Sequence, residues 1–280
     1  MTTLTLTLAI FQASQGVAHS FDRRGASALH WAAGSGHLNV VQYLIQHCAC
    51  DPNLGQRGKR SFSGRTALHW AARNGHLHVV QYLVQNCNAV LDASTADGTT
   101  AFGWASWQGH LKVMKFLHNQ GCNVHMPNTF GCNAVLWCAQ GEGVRLETIE
   151  WLKAIGCKMS IVNANGHGAL HKAAQRGRGD IVEWLVTELR NEIEFAWIGP
   201  DSDGYCPSDL AGVGGHIELA EKIAKFEIDL ATYLIAKVGG TDDELLPEWL
   251  TRRKYCYSHQ HSLYLWEPWA GVARIQNRLL

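Results

Sequence analysis

The sequence carries no net charge, no long apolar run and no recognisable cofactor loop, and each absence removes a class of function. Lys and Arg number 24, against 24 Asp and Glu, so no global field draws the chain to nucleic acid or to an anionic lipid surface. No run of about 18 apolar residues occurs, which leaves no helix to span a bilayer. A GxGxxG loop after a strand, a glycine-rich Lys-Ser/Thr phosphate loop and HExxH are all missing, so dinucleotide, nucleotide and zinc-protease chemistry has no anchor. Residues 1–19 hold no charged side chain and one weak apolar run, Leu4 to Phe11. They lack the basic region and the strong apolar stretch of a secretion signal, and are read as a tail or as the remnant of a helix that covers the start of the folded region. The nine cysteines are odd in number, which argues against a secreted disulfide framework. A reducing compartment is expected, the cytoplasm first, with the nucleus left open.

What the chain does contain is repetition. Gly64 to Leu83 reads GRTALHWAARNGHLHVVQYL. Thr66 suits a helix cap, Leu68, Ala71 and Ala72 give a short helix a narrow apolar face, and Gly75 ends it. A second helix from about His76 buries Leu77, Val79, Val80 and Leu83 at helical spacing. Two helices this short cannot bury their apolar faces alone, so the unit needs copies beside it. Copies run from Gly25 to Leu44, Gly98 to Leu117, Gly131 to Leu152, Gly166 to Leu185 and Gly204 to Ile223. That makes six units with a period near 33 to 34 residues wherever the connecting loops are not lengthened.

The period, the Thr66-Ala67-Leu68-His69 helix start and Gly75-His76-Leu77 resemble the ankyrin repeat, over roughly residues 20 to 225. The resemblance implies an all-α ankyrin-repeat solenoid of about six helix-turn-helix repeats with β-hairpin-like connecting loops, plus a short C-terminal extension. This sequence departs from the family where Ala28, Ala67, Ala101, Ala134 and Ala169 replace its usual proline, and where Gly103, Leu136 and Asp209 replace its histidine. Caps decline from Ser27, Thr66, Thr100 and Asn133 to Gly168 and Cys206, so the fifth and sixth repeats are expected to hold their first helices less firmly.

The expected domains are a tail over 1–19, the array over 20–225, a capping helix over 226–240 containing amphipathic Phe226 to Val238, and an extension of unknown role over 241–280. Two connecting loops are lengthened, Pro52 to Ser63 and Glu188 to Asp203, the second carrying Phe195 and Trp197. Arg23 to Arg73 holds seven Arg and Lys against one Asp, while Asp180 to Glu248 holds sixteen Asp and Glu against four Lys and Arg. Solvated faces explain both; the alternative is a basic end that receives an acidic partner segment.

Most histidines occupy scaffold slots: His30, His69 and His171 in the first helix, His37, His76, His110 and His216 at the start of the second. Cys48, Cys87, Cys122 and Cys157 fall at the ends of second helices and read as small buried thiols. Cys256, His259 and His261 could offer three zinc ligands but lack a fourth at a known spacing, so no metal and no cofactor is expected. Trp31, Trp70, Trp104 and Trp137 form a column, continued by Lys172 and Leu210, that is read as core filling rather than an exposed ladder.

By resemblance, the partner-binding surface lies on the concave face, at the hairpin tips and the ends of the first helices. Carried over by position, it comprises Arg23, Arg24, Phe62, Arg65, Arg73, Asn74, Trp107, Gln108, Phe130, His167, Gln175, Arg176 and Tyr205. Trp107 stands out as an anchor, since its slot is ordinarily solvated. The expected function is non-catalytic binding of a partner protein of unknown identity, with no small-molecule substrate, membrane or nucleic acid. The alternative is a substrate-recruiting adaptor whose 241–280 extension docks to an enzyme complex.

Overall fold

The computed structural model describes residues 16–58, 63–188 and 199–238. Residues 1–15, Lys59, Arg60 and Phe62, the loop aromatics Phe195 and Trp197, the zinc-ligand trio and the whole 241–280 extension lie outside the described residues. Among the described residues these helices follow one another in chain order: α1 (Ala28–Gly34), α2 (Leu38–Gln46), α3 (Ala67–Arg73), α4 (Leu77–Asn86), α5 (Ala101–Gln108), α6 (Leu111–Asn119), α7 (Ala134–Gln140), α8 (Leu146–Ala154), α9 (Ala169–Gln175), α10 (Gly179–Glu188), α11 (Pro207–Val213) and α12 (Ile217–Val238). The expected all-α architecture of paired helices is therefore present among the described residues, with isolated bridges such as Phe21 to Ser27 and Ser94 to Thr100 in the connecting loops.

The chain divides into two compact units, Met1–Thr129 with Gly143–Thr148 and Phe130–Glu142 with Ile149–Leu280. In the first, α1 packs on α3 and α3 on α5, while α2 packs on α4 and α4 on α6. Leu68, Ala71, Ala72, Val79, Val80 and Leu83, the apolar stripe of the second repeat, are wholly buried. In the second unit, α9 packs against α7 and α11, and α11 against α12; Leu170, Ala173, Ile181 and Leu185 form the corresponding core.

Each connecting hairpin closes on itself and then bonds to its predecessor. In the first unit Thr95 N–H donates to Thr99 O at 3.0 Å and Ala96 N–H to Ser63 O at 2.9 Å. Thr129 N–H donates to Asp97 O at 2.8 Å in the same way. In the second unit Ala164 N–H reaches Phe130 O at 2.9 Å, and Ser202 N–H reaches Asn165 O at 3.0 Å. Backbone groups that a loop would leave to water are thus spent on the neighbouring loop.

The turn inside a repeat needs glycine for two reasons. Gly75 sits at φ +76°, in the left-handed region, and a Cβ there would stand 2.6 Å from Nδ1 of His110 in the next repeat. That ring is close because its Nε2–H donates to Arg73 O at 3.0 Å; His76 reaches Gly34 O in the same manner, also at 3.0 Å. The second and third repeats thus each close a carbonyl that the preceding first helix leaves open at its end.

The scaffold histidines of the first helices work at the other end. Thr66 N–H donates to His69 Nδ1 at 3.1 Å, and His69 Nε2–H donates to Thr99 O at 3.2 Å. Ser27 with His30 and Gly168 with His171 repeat the arrangement, the rings reaching Arg65 O and Gly199 O. Where histidine is missing, the cap side chain serves instead: Thr100 accepts from Gly103 N–H and Asn133 from Leu136 N–H.

This corrects the ranking of the caps. The fifth repeat, with no side chain at Gly168, has its cap N–H held by His171. In the sixth, Cys206 N–H donates to Asp209 Oδ2 at 2.9 Å, and fully buried Glu227 accepts from Ser208 N–H at 3.0 Å and Oγ–H at 2.7 Å. A carboxylate at the start of a helix also faces the favourable end of its dipole. Glu227 itself lies on α12, whose 22 residues run unbroken from the sixth repeat through the stretch expected as a separate helix.

The eight described cysteines are free thiols, seven of them buried and Cys87 half-buried. Burial pushes the Cys157 thiol up to about 11 and Cys138 further still. No helix among the described residues is long and apolar enough to cross a membrane.

Candidate functional site

In the first unit the candidate residues gather around the tryptophan column rather than beside it. Trp31 is 47% exposed, and Trp70 and Trp104 are half-buried. Trp31 and Trp70 touch at 5.2 Å between ring centroids, and Trp31 Nε1–H donates to Asp22 Oδ2 at 3.1 Å. The backbone N–H of Ala26, with help from Trp31 and Arg24, holds the Asp22 carboxyl below its usual range. Core filling is therefore the wrong description of this column in the first unit: the indoles form part of an accessible surface. Trp137 and Lys172 are also half-buried, and only Leu210 is buried outright.

Two arginines lie on that surface. Arg65, from the hairpin before α3, places its Cζ 4.0 Å from the centroid of Trp104 on α5. Arg73, the last residue of α3, sits 5.7 Å from the same ring and 5.9 Å from Trp107. Trp107 is half-buried and leans on Trp104 at 5.4 Å, so it is not the solvated, idle indole that its slot suggested. Burial, and then the neighbouring Arg73, pull the Arg65 guanidinium down to about 10. Guanidinium over indole is a favourable stack, and the Asp97 carboxylate favours the charged form of Arg65.

The other candidates of this unit divide. Arg23 and Arg24 are exposed on the first hairpin. Asn74, although exposed, donates to Gly34 O and so has a structural bond. Gln108 is half-buried at the end of α5, and Phe62 lies outside the described residues.

In the second unit Phe130 is 54% exposed, and Gln175 and Arg176 are exposed at the end of α9. Arg176 forms an exposed pair with Glu142 at 3.6 Å. His167 turns out to be a hairpin fastener: its Nε2 meets buried Asp201 Oδ2 at 2.7 Å, and its ring stacks on His171 at 5.8 Å. Burial alone would raise the Asp201 carboxyl, but the His167 bond and the Tyr205 N–H outweigh it and hold it low. Tyr205 is half-buried on the same hairpin.

Trp104 is the residue that sequence reasoning missed. The signal was present, since its column position was seen, but a column position alone does not say which ring two cations will cover. No group of three His, Cys, Asp or Glu able to hold a metal ion occurs among the described residues.

Among known proteins the likeness is to one repeat type throughout. Family models of ankyrin repeats match residues 50–128 and 135–233, and a single ankyrin-repeat model matches residues 24–56. The 26S proteasome non-ATPase regulatory subunit 10 of Dictyostelium discoideum is 44% identical over 46 residues, which is 16% of this chain and 20% of that protein. The chain thus spans about a fifth of the length of the curated relative that it matches.

Proposed function

The chain belongs to the ankyrin-repeat family, and from that premise we propose that it is a non-catalytic module that holds a partner protein on its hairpin tips and first-helix ends. The observation that carries the reading is the Arg65, Arg73, Trp104 and Trp107 patch of the first unit. Arginine and tryptophan dominate interface energies, and here they are grouped and half-buried, on α3, on α5 and on the hairpin before α3. Arg23 and Arg24 extend the surface within that unit; Phe130, Gln175, Arg176 and Tyr205 are the corresponding candidates in the second.

Affinity capture from cell lysate, read by mass spectrometry, tests this with wild type against R73E/W107A, the variant first shown by circular dichroism to be folded. Loss of a defined set of proteins from the variant supports the surface; identical captured sets overturn it.

In the adaptor alternative the array recruits one protein while residues 241–280 dock to an enzyme complex in the cytoplasm or nucleus. The short likeness to a subunit named as regulatory favours keeping it in view. Protection of the 241–280 segment from protease only when a second protein is present would select it.

A further inference from the structure

We propose that the uncharged stretch Leu4 to Phe11, outside the described residues, docks on the open face of α2 and closes the first unit at its start. The face is open by comparison with its own copies. In the first unit α4 packs on α2 and α6 on α4, and the third residue of each of those two later helices, Val79 and Val113, is wholly buried. In the second unit Ile181 holds the same place in α10 and is wholly buried too. Val40 is the matching residue of α2, yet it is 42% exposed, and Tyr43, one turn on, is 45% exposed.

Described residues fix where the chain arrives at that face. Residues 16–18 are helical, with Ala18 buried and Val17 exposed. They are fastened beyond the far end of α2, where His19 Nε2–H donates to Cys48 O at 2.8 Å and Cys50 Sγ–H to Ala18 O at 3.7 Å. Continued upstream with the helical period, the same turn puts Phe11 and Leu4, seven and fourteen residues before Ala18, on the buried side of Ala18. Ile10, seven residues before Val17, falls on the exposed side. At 1.5 Å per residue Phe11 stands about 10 Å before Ala18, and Val40 about 12 Å before Cys48. A helix running alongside α2 therefore brings Phe11 level with Val40.

Composition suits this occupant. Residues 1–15 hold no charged side chain, so burying one face of them desolvates no charge, while Phe11 and Leu4 remove apolar surface from water together with Val40 and Tyr43. A second copy of the chain fits less well. A standard interface takes roughly 800 Å² from each partner, whereas α2 is nine residues long and the large apolar side chains it exposes are Val40 and Tyr43.

The test uses the full chain, read by hydrogen exchange and thermal melting. Backbone amides of residues 5–11 are expected to exchange at least about tenfold more slowly than in an unstructured chain, and V40D or F11D should abolish that protection. F11D should lower the melting temperature by about 3 °C or more, and I10D by less than about 1 °C. F11D/V40D should lose no more than the larger single variant, because both substitutions break one contact.

Unprotected amides in wild type overturn the inference, and that measurement stands whether or not a variant folds. Equal losses from I10D and F11D overturn it as well, as does a loss in F11D/V40D equal to the sum of the single losses. Light scattering that shows a dimer dissolved by V40D but not by F11D also overturns it, because a second copy then holds the face.

Discussion

The residue that best shows how this chain uses side chains is His69. Its ring must be neutral, because Nδ1 accepts the Thr66 N–H while Nε2–H donates to Thr99 O. Burial depresses His69 and His171 to about 4 and lowers His30 as well. In the unfolded chain these rings titrate near about 6.5, so the unfolded state takes up protons first. Their stabilising contribution is complete above that pH and is lost as pH falls toward the folded values. Melting temperature should therefore drop between about pH 6.5 and 4. His69→Leu should cost about 1–3 kcal/mol at neutral pH, from broken buried hydrogen bonds, and flatten part of the acid slope; urea titrations at several pH values measure both. A variant with the wild-type slope would show that His69 is not among the groups responsible.

At the scale of elements, two features set stability apart from composition. The turn between α3 and α4 depends on Gly75, and Gly75→Ala should cost about 1–2 kcal/mol for the left-handed backbone alone, with the His110 ring adding to it. Thermal melts should show that loss, whereas an unchanged melt would mean that the ring and turn can shift freely. The start of α11 depends on Glu227, and Glu227→Ala should cost about 1–3 kcal/mol by leaving Ser208 N–H and Oγ without their carboxyl acceptor. Slowed exchange of the Ser208 amide in wild type, lost in the variant, would locate the effect; equal exchange in both would argue that the bond is dispensable.

Across the whole molecule, the buried thiols predict how the protein meets oxidants and alkylating reagents. Cys87 alone among the eight described cysteines is half-buried, so of these eight it should react first with a thiol reagent, and Cys138 and Cys157 only on unfolding. Mass spectrometry of briefly alkylated native protein reads the order directly. The repeats, their period and their apolar stripes were legible because the same short string recurs and helical spacing is local. The tryptophan surface was not, because Trp104 has the same slot whether it is covered or bears Arg65 and Arg73. The caps were misjudged for a related reason: the acceptor for Ser208 lies 19 residues away, on a helix that continues after the repeat pattern has ended.

The backward reach of His76 to Gly34 O and of His110 to Arg73 O constrains how such a chain can grow or shrink. A cut that removes one full period rejoins a donor ring to an equivalent carbonyl and heals the seam. A cut of half a period leaves an acceptor stranded and a ring without a seat. Tolerance to gain or loss of sequence is therefore quantised, in steps that the hydrogen bonds, and not the loops, define.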